Sequence, residues 1–278
     1  MDVSVCLVTR GQRDELFNCL TSLKQATSQI EYEVIVVDMG SVDGTLEMLA
    51  AEFPDAKLIR LRTDQGFTVP MNMALKSATG DYLLLLNPAS VIHQDLLENL
   101  LAFIDVYPEA GICTPKVLDQ RGNLRRDCRR SAGAPADVLA EVSGLATLFP
   151  KHDVLGRRYL RFLPLNEICE VEAVSRDCML LRRELLDEVG YLDEAFSGAE
   201  SDSDYCFRAR DAGWEVYYVP AASMVCTQDR PFDPEPFLRY YNKNLAALYE
   251  PWLNKAVEIA VKAGGRIHGV TKSLQKYK

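Results

Sequence analysis

Four short segments, each apolar along almost its whole length, alternate with helical patterns in the first 90 residues. They are residues 3–8 (Val-Ser-Val-Cys-Leu-Val), 32–37, 58–61 and 82–86. Helical spacing of apolar side chains separates them at 14–25, with Leu16, Phe17, Leu20 and Leu23 on one face, and again at 45–53 and 69–77. A strand that faces water on one side alternates polar and apolar residues, whereas a strand covered on both sides is apolar throughout. The pattern predicts an α/β fold with a mixed, mainly parallel central sheet flanked by helices. In such a sheet each strand-to-helix loop opens at the carboxyl edge, where ligands bind.

Further along, a helix is predicted over 95–107 and a strand at 111–114. The pattern then weakens from 119 to 150, where Arg121, Arg125, Arg126, Arg129 and Arg130 gather among Gly and Pro. Such a stretch reads first as a solvated, mobile loop, and more sharply as a loop that meets an anionic ligand. Regular structure resumes over 171–181, with helices predicted at 184–189 and 202–212 and a strand at 215–219. Two helices, 234–248 and 251–263, form a C-terminal extension. Beyond Glu250 the bases Lys255, Lys262, Arg266, Lys272, Lys276 and Lys278 meet one acid, Glu258. A frayed, solvated terminus and a peripheral contact with an anionic membrane both suit that composition.

Composition narrows the function classes. With 31 basic and 40 acidic residues in 278, the net charge of −9 argues against a general nucleic-acid binder. The eight cysteines contain no C-x-x-C pair, so they read as reduced, mostly buried thiols of a cytoplasmic protein. Three histidines, His93, His152 and His268, form no cluster that would suggest zinc. The opening residues do not read as a secretory leader, and no apolar stretch approaches the ~18 residues of a membrane span.

Four segments fall on the predicted loop edge. Asp38-Met-Gly-Ser-Val-Asp-Gly-Thr45 follows the second strand. A carboxylate at a strand end can accept hydrogen bonds from a nucleobase or ribose, although Ser41 and Asp43 also suit plain helix caps. Asp64-Gln-Gly-Phe67 leads through Asn72 into a helix, Gly80-Asp-Tyr82 leads through Asn87-Pro-Ala89, and Ser201-Asp-Ser-Asp204 is followed by Arg208. Two carboxylates at a helix start could be catalytic, or could simply complement the helix dipole.

In these segments, over about residues 3–226, the chain resembles the family 2 glycosyltransferases, inverting sugar transferases with the A-type nucleotide-sugar-binding fold. The rhamnosyltransferase-like branch is the most similar. The family's D-N-G-S-x-D-G-T is matched at 38–45 with Met39 for Asn, and its N-x-G-F-x-x-x-x-N from Asp64 to Asn72. Its G-D-Y-x-x-x-L-N-P element is matched over 80–88, and its R-R-x-x-x-x-x-V-G-x-x-D-E-x-F stretch over 182–196. The resemblance implies an A-type domain over 1–230, with a nucleotide-binding half of about 1–118 and an acceptor half of about 165–230, followed by a helical extension at 231–278. It implies transfer from a UDP- or dTDP-sugar to a glycan, lipid-linked or protein acceptor. It places the general base at Asp202, with Asp204 as neighbour or alternative, and the nucleotide among Thr9, Asp38, Asp64, Asn72 and Asn87. A homodimer and a place at the inner face of the membrane are compatible with it.

The departures concern metal. The carboxylate of the family's N-P-D triplet is Ala89, and the position of a His that often follows a later strand is Cys226. Neither suits Mg²⁺ or Mn²⁺, which take hard oxygen ligands. No metal ligand is therefore assigned; Arg129, Arg130 and Arg176 are the candidates to meet the donor's phosphates, and Mg²⁺ or Mn²⁺ held weakly by other groups, such as Asp95 or the donor phosphates with water, is the alternative. Ser201 replaces the Glu that precedes the base, and the family's S-G-A reads Ser175-Arg-Asp177. A degenerate member that binds nucleotide or a partner without chemistry is the alternative.

Overall fold

In the structure, a computed structural model, residues 2–26, 30–125, 127–196, 198, 200–228 and 234–275 are described, the last dozen of them as backbone only. In chain order the elements begin with β1 (Val3–Thr9), α1 (Arg13–Ala26), β2 (Tyr32–Asp38), α2 (Thr45–Glu52), β3 (Lys57–Arg60) and α3 (Thr68–Ser77). Next come β4 (Tyr82–Leu86), β5 (Ser90–Ile92), α4 (Leu96–Val106), β6 (Ala110–Leu118), β7 (Arg129–Arg130), α5 (Pro135–Val142) and α6 (Leu145–Leu148). The remainder are β8 (Cys169–Glu170), β9 (Ala173–Val174), β10 (Cys178–Arg182), α7 (Arg183–Val189), α8 (Glu200–Asp211), β11 (Glu215–Cys226), α9 (Pro234–Asn244) and α10 (Pro251–Gln275). Two compact units result: Met1–Cys128 with Leu165–Asp229, and Arg129–Pro164 with Arg230–Lys278.

The first unit holds the sheet, in the order β3-β2-β1-β4-β10-β6-β11-β5, with β8 beside β11. The apolar runs pair in parallel: β2 with β3, β1 with β2, and β1 with β4. Strand β10 enters antiparallel between β4 and β6, while β11 lies parallel to β6. This is the mixed, mainly parallel sheet that the apolar runs predict. Val5, Leu7, Ile35, Val36, Leu83 and Leu84 are fully buried, as strands covered on both faces must be. Helix α1 buries Leu16, Cys19, Leu20 and Leu23, the i, i+3, i+4, i+7 stripe of a helix with one packed face. Below the sheet's far edge, Glu33 accepts hydrogen bonds from the Ser4 hydroxyl at 2.6 Å and the Thr79 amide at 2.7 Å, tying β2 to β1 and to the entry of β4.

Two strands exceed their predicted lengths. Strand β6 runs on to Leu118, and β11 runs on to Cys226 rather than ending at Val219. A register shift between Val219 and Ser223 interrupts the pairing of β11, so its apolar pattern breaks while the strand continues. The prolongation brings Cys226 opposite Ser90 on the short β5.

Arg121 is exposed, as a solvated loop would have it, but the described arginines that follow are not. Arg125, Arg129 and Arg130 are 7%, 0% and 6% exposed. Their charges are buried because partners meet them. In the second unit, Arg129 donates to the carbonyls of Pro164 at 2.8 Å and Leu163 at 2.7 Å. Also there, Arg158 donates to Ser131 O at 2.9 Å and lies 5.0 Å from the centre of the Phe237 ring. Arg126 lies outside the described residues. Of the C-terminal bases, Lys255 and Lys262 pair with Glu258 at 2.9 and 2.5 Å. The side chains of Arg266 and Lys272, with Lys276 and Lys278, lie outside the described part. Among the described residues no helix is long and apolar enough to cross a membrane.

Candidate functional site

Strand register gathers the site. Thr9 ends β1 directly opposite Asp38, which ends β2. The chain then turns sharply, and the carboxylate of Asp38 accepts the amides of Gly40 at 3.1 Å and Ser41 at 3.1 Å. Gly40 has φ +78°, and a Cβ there would stand 3.0 Å from the Arg62 carbonyl oxygen, so this turn needs glycine. Asp38 is 1% exposed, and the buried Thr9 hydroxyl has no hydrogen-bond partner among the described residues. Ser41 and Asp43 both serve the segment that opens α1. The Gly11 amide donates to Ser41 Oγ at 2.7 Å, and the Arg13 amide to Asp43 Oδ2 at 3.0 Å. The start of α1 is thereby fixed to the loop that opens α2. The Thr45 hydroxyl, followed by backbone donors, holds the Asp43 carboxyl below its ordinary pKa.

At the rim, Arg10 pairs with Asp64 at 2.5 Å, which links the end of β1 to the loop before α3. Asn72, on α3, exchanges hydrogen bonds with Leu192, donating to its carbonyl at 2.9 Å and accepting its amide at 3.1 Å. Its amide also reaches Glu194 at 3.1 Å. Asn72 therefore anchors the 192–194 segment; its side chain is spent there. In the same neighbourhood Thr68 donates its hydroxyl to the carbonyl of Phe196.

The antiparallel entry of β10 brings a second cluster to the same edge. Because Cys178 pairs with Leu86, the preceding Asp177 faces the following Asn87. The Asn87 amide nitrogen of the backbone donates to Asp177 O at 3.0 Å, and its side chain donates to Asp177 Oδ1 at 2.8 Å and Gln228 Oε1 at 3.1 Å. Arg125 completes the group. Its Nε lies 3.4 Å from Asp177 Oδ2 and 3.3 Å from Asp127 Oδ1, and its Nη1 donates to the carbonyl of Gln228. Burial works against the guanidinium's charge, but the two carboxylates outweigh it and raise its pKa.

One residue before Asp177, the Arg176 amide donates to Asp202 Oδ2 at 3.1 Å. Asp202 lies in the first turn of α8 and is 2% exposed, with Ser203 Oγ at 3.3 Å from its other oxygen. The Arg176 side chain donates to Gly198 O at 2.7 Å and stacks its guanidinium 4.0 Å from the centre of the Phe67 ring. The structure thus puts Asp202, Arg176, Asp177, Asn87 and Arg125 in one connected group. Asp204 has a different place: it is fully buried and pairs with Arg208 at 2.9 Å, while Arg208 also donates to Val189 O and Tyr191 O at 2.9 Å. Arg129 and Arg130 belong to the second unit, where Arg129 serves backbone carbonyls. Two residues of the cluster escaped the sequence reading as site residues. In sequence Arg125 is one arginine among several in the basic stretch, and Asp177 only a departure from a motif. The signal for Asp177 was its place immediately before the apolar run of β10.

A hard divalent cation takes about six oxygen ligands, several of them carboxylate. Among the described residues no group of three or more His, Cys, Asp or Glu side chains could hold one. Ala89 offers a methyl group, Cys226 a buried thiol 3.9 Å from Gln228 O, and Asp177 is engaged by Asn87 and Arg125. These residues do not fit a Mg²⁺ or Mn²⁺ site.

Residues 4–190, two thirds of the chain, match the family model described as "Glycosyl transferase family 2". The chain belongs to this glycosyltransferase family. Its relatives include the N-acetylglucosaminyl-diphospho-decaprenol L-rhamnosyltransferase of Mycobacterium tuberculosis, 25% identical over 233 residues, which span 80% of this chain and 74% of that protein. A shorter match, 34% identical over 109 residues, joins 38% of this chain to 19% of the poly(ribitol-phosphate) beta-N-acetylglucosaminyltransferase TarS of Staphylococcus aureus. In fold, the crystal structure of S. aureus TarS 1–349 in complex with UDP-GlcNAc superposes with a TM-score of 0.61 at 22% identity, covering 94% of this chain and 70% of that one. The A-type glycosyltransferase fold expected from the motifs is the fold found.

Proposed function

We propose that this family 2 member moves a sugar from a UDP- or dTDP-linked donor to a glycan, lipid-linked or protein acceptor, with inversion and without a divalent metal. The observation that supports this best is the carboxylate of Asp202, held by the Arg176 amide in a group continuous with the strand-end residue Asn87. In the reaction, Asp202 accepts the proton of the acceptor hydroxyl as its oxygen attacks the anomeric carbon from the face opposite the nucleotide. The bond from that carbon to the diphosphate oxygen breaks, and its electron pair stays on the diphosphate. Each bound group has one task. Asp38, steadied by the Gly40 and Ser41 amides, keeps acceptor capacity for the nucleoside, with Thr9 beside it. Asp64 and Arg10 form the rim, Asn72 acts through the 192–194 segment, and Asn87 through Asp177.

The name of the mycobacterial relative favours a lipid-linked acceptor, and the basic residues after Tyr249 suit an anionic membrane surface on its cytoplasmic side. The reading is tested by incubating the protein with a panel of UDP- and dTDP-sugars and following nucleoside diphosphate release, with and without candidate lipid-linked glycans. Release from at least one donor, faster with acceptor, is expected. A protein that binds UDP or dTDP but releases none from any donor would instead be the degenerate member.

A further inference from the structure

Arg125 is one of two cations in the site cluster: the Arg176 guanidinium is taken up by Gly198 O and the Phe67 ring, whereas Arg125 faces carboxylates. A guanidinium that is 5% exposed needs opposite charge, and Arg125 has it from Asp177, itself fully buried. Its backbone is pinned as well, with the Arg125 amide donating to Val117 O at 2.8 Å, at the end of a turn closed by a Leu118–Leu124 bridge. The side chain is therefore held from both ends. Its contacts differ in quality: Nη1 is bonded to Gln228 O, whereas Nε is shared between two carboxylates at 3.3 and 3.4 Å, longer than a good charge-assisted bond. The Asp127 side chain is 21% exposed, whereas that of Asp177 is fully buried. Asp177 is the fixed counter-ion, and Asp127 is an anion that another anion can replace.

The neighbouring chain adds direction. Arg176 and Asp177 are successive residues; the backbone of the first holds Asp202, and the side chain of the second holds Arg125. The residues that hold the base and the guanidinium are thus successive in the chain. Among the described residues no set of carboxylates beside them could hold a divalent ion, so the charge to look for at this edge is a guanidinium. Resting on the sugar-transfer reading above, we propose that Arg125 receives the diphosphate of the nucleotide donor, displacing Asp127, and stabilises the charge left there when the sugar departs. The guanidinium fork suits two phosphate oxygens at once, and unlike an ammonium it keeps its charge when buried. The bond balance is that of the transfer itself: the electron pair of the broken bond remains on the phosphate oxygen, which Arg125 faces, and the proton passes to Asp202. This assignment replaces Arg129 and Arg130, whose part of the chain serves the second unit.

Calorimetric titration in EDTA separates the two readings. Uridine, UMP and UDP, with their thymidine counterparts, are titrated into the whole protein and into Arg125→Gln and Asp127→Asn. The unaltered protein is expected to bind the diphosphate at least about tenfold more tightly than the nucleoside, the size of one charge-assisted contact. Arg125→Gln loses that ratio and keeps its nucleoside affinity, which also shows that the site is folded. Asp127→Asn, with the competing anion removed, binds the diphosphate several-fold more tightly. An unchanged ratio in Arg125→Gln, or no gain in Asp127→Asn, overturns the assignment of Arg125. Absence of both nucleoside and diphosphate binding in the unaltered protein overturns the sugar-transfer reading itself.

Discussion

Asp202→Asn is expected to lower the rate of transfer by about 10²–10⁴-fold, the usual contribution of a positioned general base. The substitution is chosen because it keeps shape. An asparagine oxygen can still accept the Arg176 amide, so the loop that reaches Asp177 stays in place. The dipole of α8 gives an independent reason for an acid in its first turn, worth only ~0.3–1 kcal/mol to folding. A carboxylate that serves only the dipole would therefore leave turnover almost unchanged in the Asn variant and lower the melting temperature slightly. The base reading requires the reverse, a collapse of kcat with nucleotide affinity and melting temperature preserved. Asp204→Asn supplies the contrast. Its carboxylate holds Arg208, which in turn holds the carbonyls of Val189 and Tyr191, so the expected loss is in stability.

The largest loss of stability is expected from Asp177→Ala. Asp177 is fully buried, and its removal strands the Arg125 guanidinium in a site with little water and takes the acceptor from the Asn87 side chain. Breaking one partner out of a buried ion pair costs about 3–5 kcal/mol, because the remaining charge stays desolvated. Equilibrium denaturation of the variant measures this directly. Replacing Arg125 and Asp177 together by apolar residues should return much of the loss, since no buried charge is then left over. A double variant as unstable as the sum of the singles would mean that the two side chains act separately.

The sheet was readable from sequence because burial on both faces forces apolar runs, and those runs lie at β1, β2, β3 and β4 as read. Asp38 was readable for a related reason: a carboxylate after such a run, before Gly40 and Gly44, can only sit at the loop edge. The prolonged β11 was not, because Pro220 and two alanines interrupt its pattern where the register shifts. Helix α5 was hidden in a region whose composition resembles a loop, although its proline at the first position is a helix-start signal. Buried arginines mislead in the same way. Sequence alone gives no hint that Arg129 will find the carbonyls of residues 163 and 164, or that Arg125 will meet an acid 52 positions later. Such pairings are properties of the folded chain, and they decide which charge faces the site.

On the proposed reading, this family 2 member handles a diphosphate with its own side chains in place of a metal ion. The most direct measurement is the initial rate of nucleoside diphosphate release, with the best donor, before and after exhaustive treatment with EDTA. An unchanged rate is expected, with no gain on adding Mg²⁺ or Mn²⁺. A rate abolished by the chelator and restored by either ion would contradict it.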